Sequence, residues 1–377
     1  MKKLFFAVLA ALMLTAGTFA APAPPEVAAP SAILVERTSG TVLYEKNSHE
    51  KLAPASVTKI MTMLLTVEAL ERGQIRLEDE VVTSDHAASM GGSQIYLEPG
   101  ERMSLHDMLK SIAVSSANDA CVAVAEHIAG SEATFVAMMN DRAAALGMQD
   151  THFVNCCGLD SEEHYTTAYD ISLMSRELLK HEMIRAYTTI WMDTVRGGEF
   201  GLSNTNKLVR FYDGTTGVKT GYTSKAGYCV SASAEREGME LIAVIMKADT
   251  SPHRNADASG LLNFGFANYA VVGLGEGENG AEEIPVILGR QDCVKVELAE
   301  NAQVLIEKAQ APKVEKQLVL AESLEAPVEK GQKVGTLVFS LEGEQLAEVP
   351  VVAADAVERL GTMDIYGDIL KSLLLKK

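Results

Sequence analysis

The chain has 377 residues, a length that predicts two or three domains. Apolar residues make up 47% of it and charged residues 22%, so there is enough apolar material for a buried core. The formal net charge is −18, and no cluster of Lys and Arg stands out before the last few residues, which argues against a nucleic-acid partner.

The first 20 residues have the features of a secretory signal peptide. Lys2 and Lys3 precede an apolar run over 4–16 that is short for a bilayer span, and small residues follow where a signal peptidase cleaves. A permanent membrane anchor is the alternative interpretation. Cleavage after 1–20 removes two Lys and no acid, which leaves a net charge near −20 (31 − 51). Residues 21–30, rich in Ala and Pro, predict a short linker.

The next part of the chain, 31–275, predicts a domain with strands at both ends and helices between them. A hairpin is expected over 32–46, and strands are expected at 228–234 and 240–246. Helical patterns cover 60–71, 105–114, 119–129, 132–146, 168–180 and 255–268. Thr167 and Asp170 have the spacing of a capping box. This order favours an α+β fold in which a helical cluster packs on an antiparallel sheet.

From about residue 280 the pattern changes to short alternating strands separated by Gly and Pro. We therefore predict a small all-β domain, similar to a β-sandwich, over 280–357. The chain then ends in 363–377, where apolar residues recur on one helical face and Lys residues add positive charge. The apolar residues are Ile365, Tyr366, Ile369, Leu370, Leu373 and Leu374. An amphipathic helix on a membrane surface fits this pattern, and a helix packed on the β-domain is the alternative.

A hydroxyl side chain and an amine side chain near the start of the helix predicted at 60–71 have the spacing of a nucleophile and its base. Ser56 and Lys59 are three residues apart, which places both side chains on one helical face. A Ser hydroxyl is a weak nucleophile unless a base takes its proton, and a Lys whose pKa is lowered can be that base. Alone, this S-x-x-K pattern is weak, since a helix cap followed by a surface Lys produces it too.

Two further motifs follow at long spacing. Ser116-Ala117-Asn118 lies 60 residues after Ser56 (116 − 56) and precedes a predicted helix, where helix capping is its simplest explanation. Lys219-Thr220-Gly221 lies 103 residues after Ser116 (219 − 116) and opens the strand region. Class A β-lactamases and penicillin-binding proteins contain these three motifs together. The known set has Asp at the middle position of the second motif, where this chain has Ala117.

In the order and context of these motifs the chain resembles the D-Ala-D-Ala carboxypeptidase family of low-molecular-mass penicillin-binding proteins. The resemblance extends over roughly the whole mature chain, including the segments 152–153, 158–160, 164–170 and 217–227. It implies a β-lactamase/transpeptidase-like first domain, and it implies no metal and no cofactor. The implied substrate is a peptidoglycan peptide that ends in D-Ala-D-Ala, and β-lactam antibiotics are the implied inhibitors.

The resemblance also implies roles for individual residues. Ser56 is the implied acyl-forming nucleophile, Lys59 its general base and Ser116 a proton shuttle. The implied substrate contacts are Asn118, Lys219, Thr220, Gly221 and Tyr222. The backbone N–H groups of Ser56 and Tyr222 are the implied oxyanion hole, a role that tolerates Tyr where some relatives have His. Arg254 is either a further contact for the substrate carboxylate or an ordinary surface residue.

Three other functions are alternatives to a carboxypeptidase. A DD-endopeptidase acting on cross-linked peptidoglycan uses the same residues, so it remains an alternative. A class A β-lactamase needs an E-x-x-L-N motif, but the only Leu-Asn pair, Leu262-Asn263, has Ser259 at the Glu position. A non-catalytic penicillin-binding protein is expected to lack a motif residue, and none is missing.

We expect the protein to be exported and to act at the outer face of the cytoplasmic membrane. Cys156 and Cys157 are adjacent, and the sequence leaves undecided whether they take part in a disulfide.

Overall fold

The computed structural model describes residues 24–274, 282–299, 302–363 and 366. The strands described up to residue 274 are β1 (Ser31–Glu36), β2 (Val42–Lys46), β3 (Glu80–Val82), β4 (Arg102–Ser104), β5 (Met192–Val195), β6 (Phe200–Ser203), β7 (Thr215–Thr223), β8 (Gly227–Arg236), β9 (Met239–Ala248) and β10 (Tyr269–Gly273). The α-helices are α1 (Lys59–Glu71), α2 (Asp85–Ala88), α3 (Leu105–Ser115), α4 (Asn118–Ala129), α5 (Glu132–Ala145), α6 (Ala168–Leu178), α7 (Arg185–Thr188), α8 (Leu208–Phe211) and α9 (Ser251–Asn268). The predicted hairpin, helices and long strands are confirmed, and α9 begins four residues before its predicted start.

A five-stranded antiparallel sheet, with the strand order β2-β1-β9-β8-β7, forms the middle layer of this region. Successive side chains of a strand point to opposite faces, and β1 is buried on both. Ile33 and Val35 join the apolar cluster that contains α1, α3, α4 and α6. Ala32 and Leu34 join a second cluster that contains α9. The sheet therefore lies between a large helical cluster and one long helix.

Three of the longer helices begin at a hydroxyl side chain that caps them. The hydroxyl groups of Ser104, Ser131 and Thr167 accept hydrogen bonds from the third backbone N–H of α3, α5 and α6. Only half of the predicted capping box forms. The Asp170 carboxylate accepts hydrogen bonds from the backbone N–H of Asp150 and from the hydroxyl of Thr151. It thereby ties the loop that contains these two residues to α6.

The strands of the second region are β11 (Glu283–Ile287), β12 (Cys293–Leu298), β13 (Gln303–Glu307), β14 (Val314–Leu320), β15 (Leu324–Glu325), β16 (Lys333–Leu341) and β17 (Glu344–Ala353). Six of them form a sheet with the order β14-β16-β17-β12-β11-β15, in which only β11 and β15 pair in parallel. Its apolar core includes the fully buried Phe339. The remaining strand, β13, pairs with β10, which directly follows α9. The described residues of 282–357 form strands and connecting loops with one short 3-10 turn at Ala311–Lys313, in agreement with the predicted all-β character.

The two terminal predictions fall largely outside the described residues. This holds for the signal peptide at 1–20 and for all of 363–377 except Met363 and Tyr366. Both of these side chains are exposed, at 84% and 72%. Among the helices of the described residues, none combines the length and the apolar character needed to cross a bilayer.

Candidate active site

The chain enters α1 through a tight turn that positions Ser56. Residues Ala55–Thr58 form a 3-10 turn, and Lys59 is the first residue of α1, so Ser56 lies just before the predicted helix. Ala55 adopts a left-handed conformation, with φ of 48°, which is uncommon for a residue with a Cβ. Such backbone strain is frequent at active sites, where the surrounding structure holds it in place.

The Lys59 ammonium group is completely buried and has three hydrogen-bond acceptors. Its Nζ donates to Ser56 Oγ at 3.0 Å, to Asn118 Oδ1 at 2.6 Å and to the Cys157 carbonyl at 2.8 Å. Three acceptors match the three N–H donors of an ammonium group. None of them is a carboxylate, so Lys59 is held by neutral groups at hydrogen-bond distance from the Ser56 hydroxyl.

The second motif turns the chain between α3 and α4. Ser116 has a left-handed conformation, with φ of 62°, and ends α3, whereas Asn118 begins α4. The Asn118 side chain bridges two segments, because its Nδ2 donates to the Gly91 carbonyl at 2.7 Å while its Oδ1 accepts from Lys59. Ser116 Oγ is buried and has no hydrogen-bond partner among the described residues. An unpaired buried hydroxyl is free to exchange a proton with a bound ligand.

The third motif lies in β7, beside the Ser56 turn. Lys219 is buried, and its pKa is lowered well below the usual value, first by loss of hydration and then by the nearby charge of Lys59. Thr220 Oγ1 donates to Thr205 Oγ1 at 2.7 Å. A Cβ at Gly221 would lie 2.9 Å from the backbone nitrogen of Ser56, so only glycine allows β7 to approach the turn this closely.

A cleft of about 250 Å³ joins the three motifs. Its lining residues are Ser56, Ser93, Ser116, Thr205, Thr220, Gly221, Tyr222, Tyr228, Ser251 and Arg254. The predicted residues Lys59, Asn118 and Lys219 are buried behind this lining. Lys59 contacts Ser56, Asn118 contacts Lys59, and Lys219 Nζ donates to the Thr220 carbonyl at 3.0 Å. Ser93, Thr205, Tyr228 and Ser251 were not predicted, since no local pattern distinguishes them from other Ser, Thr and Tyr residues.

Arg254 is a cleft residue and is only 4% exposed, so the interpretation as an ordinary surface residue is wrong. Its Nη2 donates to Ser251 Oγ at 3.1 Å and to Asn255 Oδ1 at 2.9 Å. Burial lowers the pKa of its guanidinium to about 10, which leaves it charged at neutral pH. With Lys219 it makes one end of the cleft suitable for an anionic ligand.

The loop over 154–160 packs against the turn that carries Ser56. Gly158 has φ of 92°, and a Cβ there would lie 1.9 Å from the Ala55 carbonyl oxygen. His164 holds the same loop, because its Nε2 lies 2.8 Å from Thr58 Oγ1 and its Nδ1 accepts from the Val154 N–H at 3.1 Å. Burial lowers the pKa of His164 to about 4, so the ring is neutral at neutral pH.

Known proteins share both regions of the chain. The sequence profile of the D-alanyl-D-alanine carboxypeptidase family matches residues 18–250, and that of the C-terminal domain of penicillin-binding protein 5 matches 274–359. The D-alanyl-D-alanine carboxypeptidase DacF of Bacillus subtilis (strain 168) is 47% identical over 337 residues, which cover 88% of this chain and 87% of that protein.

Solved structures share the fold. Penicillin binding protein 5 from Haemophilus influenzae has a TM-score of 0.73 and 30% identity, and the match covers 90% of this chain and 100% of that chain. Penicillin-binding protein D2 from Listeria monocytogenes, in its cefotaxime-bound form, has a TM-score of 0.60 and 29% identity over 65% of this chain and 100% of that one.

The fold, together with a buried Lys beside a Ser in a cationic cleft, defines a serine enzyme of the penicillin-binding class. Within this class the chain belongs to the D-alanyl-D-alanine carboxypeptidase family, serine peptidases that act in cell-wall maturation.

Proposed function

We propose that Ser56 attacks the carbonyl carbon between two terminal D-Ala residues of a peptidoglycan peptide while Lys59, in its neutral amine form, accepts the hydroxyl proton and becomes an ammonium group. The observation that carries this assignment is the 3.0 Å contact between Lys59 Nζ and Ser56 Oγ. As the C–N bond breaks, Ser116 passes a proton to the departing amine of D-Ala. Water then adds to the ester on Ser56, a proton returns to the Ser56 oxygen, and the shortened peptide leaves as a carboxylate.

The terminal carboxylate of the substrate binds at the cationic end of the cleft. Arg254 supplies positive charge there, and a bound carboxylate favours the charged form of Lys219 against the burial that lowers its pKa. The Thr220 hydroxyl, which donates to Thr205 Oγ1 in the free protein, turns to donate to the carboxylate. A free carboxylate at this position identifies the residue to be removed as the last one, which favours a carboxypeptidase. Asn118 holds Lys59 and the substrate peptide, and Gly221 leaves room for that peptide along β7.

The negative charge that develops on the scissile carbonyl oxygen needs donors close to Ser56. We propose the backbone N–H groups of Ser56 and Tyr222 as these donors, since the tight approach at Gly221 brings β7 against the Ser56 turn. β-Lactams present a strained amide and a carboxylate in a similar arrangement. They therefore acylate Ser56 in the same cleft and leave slowly.

Release of D-Ala from a purified pentapeptide tests this function. We expect stoichiometric D-Ala and tetrapeptide, and no product from the Ser56→Ala variant. Cleavage of cross-linked dimers without D-Ala release from the pentapeptide indicates the endopeptidase instead. Rapid turnover of penicillin without attack on the pentapeptide indicates a β-lactamase. Penicillin labelling without any peptide product indicates a non-catalytic binding protein.

We further propose that the protein is exported through 1–20 and held at the outer face of the cytoplasmic membrane by 363–377. The sequence of this segment supports the proposal, because six apolar side chains recur on one helical face beside three Lys residues. Full burial of such side chains yields roughly 1.5–3 kcal/mol each, and partial immersion less, so we expect reversible binding that weakens with salt. The domain at 280–357 then acts as a spacer between the membrane and Ser56.

Sedimentation with anionic vesicles tests the anchor. A protein truncated before Met363 is expected to stay folded, to release D-Ala at an unchanged rate and to remain in the supernatant. The matched control is the full chain in which Lys371, Lys376 and Lys377 are changed to Gln, which is expected to sediment less at low salt. Sedimentation of the truncated protein, or its unfolding, contradicts the anchor and favours a helix packed on the β-domain.

A further inference from the structure

Three cysteines meet directly below the proposed catalytic Lys59. Cys121, Cys156 and Cys157 are buried, and all three are free thiols. The Cys121 thiol donates to the Cys156 carbonyl at 3.1 Å. The neighbouring thiols of Cys121 and Cys157 raise the pKa of the Cys156 thiol. The three cysteines are therefore neighbours in the buried core, and the proposed reaction uses none of their thiols.

The cysteines belong to the two segments that hold the Lys59 ammonium group. Cys121 lies in α4, one turn after Asn118, whose Oδ1 accepts from Lys59. Cys156 lies in the loop next to Cys157, whose carbonyl is another acceptor. A covalent link between Cys121 and Cys156 therefore ties together the two structures that fix the position of Lys59.

We propose that the Cys121–Cys156–Cys157 cluster is a site of oxidation, at which a small-molecule disulfide converts Cys121 and Cys156 into a disulfide that slows acylation of Ser56. Two exchange steps form one S–S bond in the protein. The two cysteines lose two electrons and two protons, and the oxidant is reduced to two thiols.

Geometry selects this pair over the adjacent one. Consecutive Cα atoms are about 3.8 Å apart, whereas a disulfide usually needs about 4.4–6.8 Å between the Cα atoms. Cys156 and Cys157 are therefore poorly placed to pair with each other. Cys121 approaches Cys156 from a different element, so the pair does not carry this restriction.

The effect on the enzyme follows from the short length of the new bond. The Cys121 thiol donates to the Cys156 carbonyl, so the two sulfur atoms must move to reach the S–S bond length of about 2.0 Å, and α4 and the loop move with them. A displacement of about 1 Å at a catalytic group lowers the rate by about 10²-fold. The rate effect rests on the proposed role of Lys59, whereas the formation of the crosslink does not.

The reaction is expected to be slow in the native protein. The neighbouring thiols of Cys121 and Cys157, together with burial, raise the pKa of the Cys156 thiol well above its usual value. The thiolate is the reactive form, so alkaline pH and long incubation favour the exchange.

The test compares the full chain before and after hours of incubation with excess oxidised glutathione at about pH 8.5. The readouts are the rate of Ser56 labelling by fluorescent penicillin and the masses of non-reduced peptides. We expect a Cys121–Cys156 linked peptide, a labelling rate about 10²-fold lower, and recovery of the rate after reduction.

Variants separate this pair from the other thiols, and each is scored by its ratio of oxidised to reduced labelling rate. Cys121→Ala and Cys156→Ala are expected to have ratios near one. Cys293→Ala is the matched control, since it removes a thiol of the second domain, and its ratio is expected to equal that of the unmodified chain.

Peptide maps in which Cys121 and Cys156 stay free, or are linked without a change in labelling rate, overturn the proposal. Loss of sensitivity in Cys157→Ala with retention in Cys121→Ala also overturns it, because that result assigns the effect to the adjacent pair. If an alanine variant fails to fold, the peptide map and reversible rate of the unmodified chain still decide. Absence of labelling before any oxidation contradicts the role of Ser56 instead.

Discussion

Lys59, Lys219 and Arg254 are all buried in the first domain, whereas the buried side chains described from residue 282 onward are all apolar. Burial of a charged group costs free energy unless hydrogen bonds or an opposite charge compensate it. The first domain therefore carries destabilising groups where they serve chemistry, and the described core of the second domain consists of apolar side chains. Activity and stability should respond to different substitutions in the two regions.

The largest expected effect separates the domains by reactivity. Ser56→Ala removes the proposed nucleophile, and we expect labelling by fluorescent penicillin to fall by at least about 10⁴-fold, on the scale seen for nucleophile loss in other serine enzymes. Ser340→Ala, in β16, is the matched control and is expected to label at the normal rate. Near-normal labelling of Ser56→Ala refutes the assignment.

A second comparison is made inside the first domain, between its two buried lysines. Lys59→Arg retains the charge, but Arg cannot give up a proton near neutral pH, so acylation is expected to fall by about 10²–10⁴-fold. Lys219→Arg is expected to have a smaller effect, because its proposed contribution requires only positive charge. The two acylation rates are measured by stopped-flow labelling. Equal losses would mean that Lys59 acts only through its charge.

A matched pair of core truncations sharpens the contrast between packing and chemistry. Phe339→Ala, at a fully buried position of the second domain, is expected to cost about 3–5 kcal/mol in the unfolding of that domain. The acylation rate of Ser56 should not change. Phe153→Ala has a similar cost, but its ring packs against His164, so acylation should fall too. Denaturant unfolding and penicillin labelling measure both variants. A loss of acylation in Phe339→Ala contradicts independent domains.

The smallest expected effect is a pH dependence confined to the first domain. His164 has a pKa of about 4 in the folded protein, and about 6.5 is the usual value in an unfolded chain. Between these values the unfolded state binds more protons, so stability falls as the pH decreases from 6.5 towards 4. The loss approaches about 3 kcal/mol. His164→Gln does not titrate and should lose about 2–3 kcal/mol less between pH 7.5 and 4.5 in denaturant titrations. An equal loss in both proteins contradicts this origin.

Local patterns in the sequence predicted most of the architecture. The all-round apolar segment of α1, the hydroxyl caps and the alternating strands depend on neighbouring residues, so the chain itself contains the signal. The pairing of β10 with β13 does not, because it depends on how α9 directs the chain into the second region.

The site was predictable only in its motif residues. Ser56, Lys59, Ser116 and Lys219 belong to patterns with fixed spacing. The Cys157 carbonyl accepts from Lys59 across 98 residues of sequence, and Arg254 is buried in a cleft that distant segments line together. No local pattern encodes either feature.

Two glycines restrict how this enzyme can become resistant to antibiotics. Gly158 lies in the loop over 154–160 and Gly221 lies in β7. Both approach the backbone around Ser56 so closely that an added Cβ would collide with it. A substitution that narrows the cleft against a β-lactam at either position also displaces the nucleophile, and the cell-wall substrate loses its reaction together with the drug. Resistance mutations are therefore expected at side chains such as Tyr222 or Tyr228, which line the cleft and whose rings pack against each other.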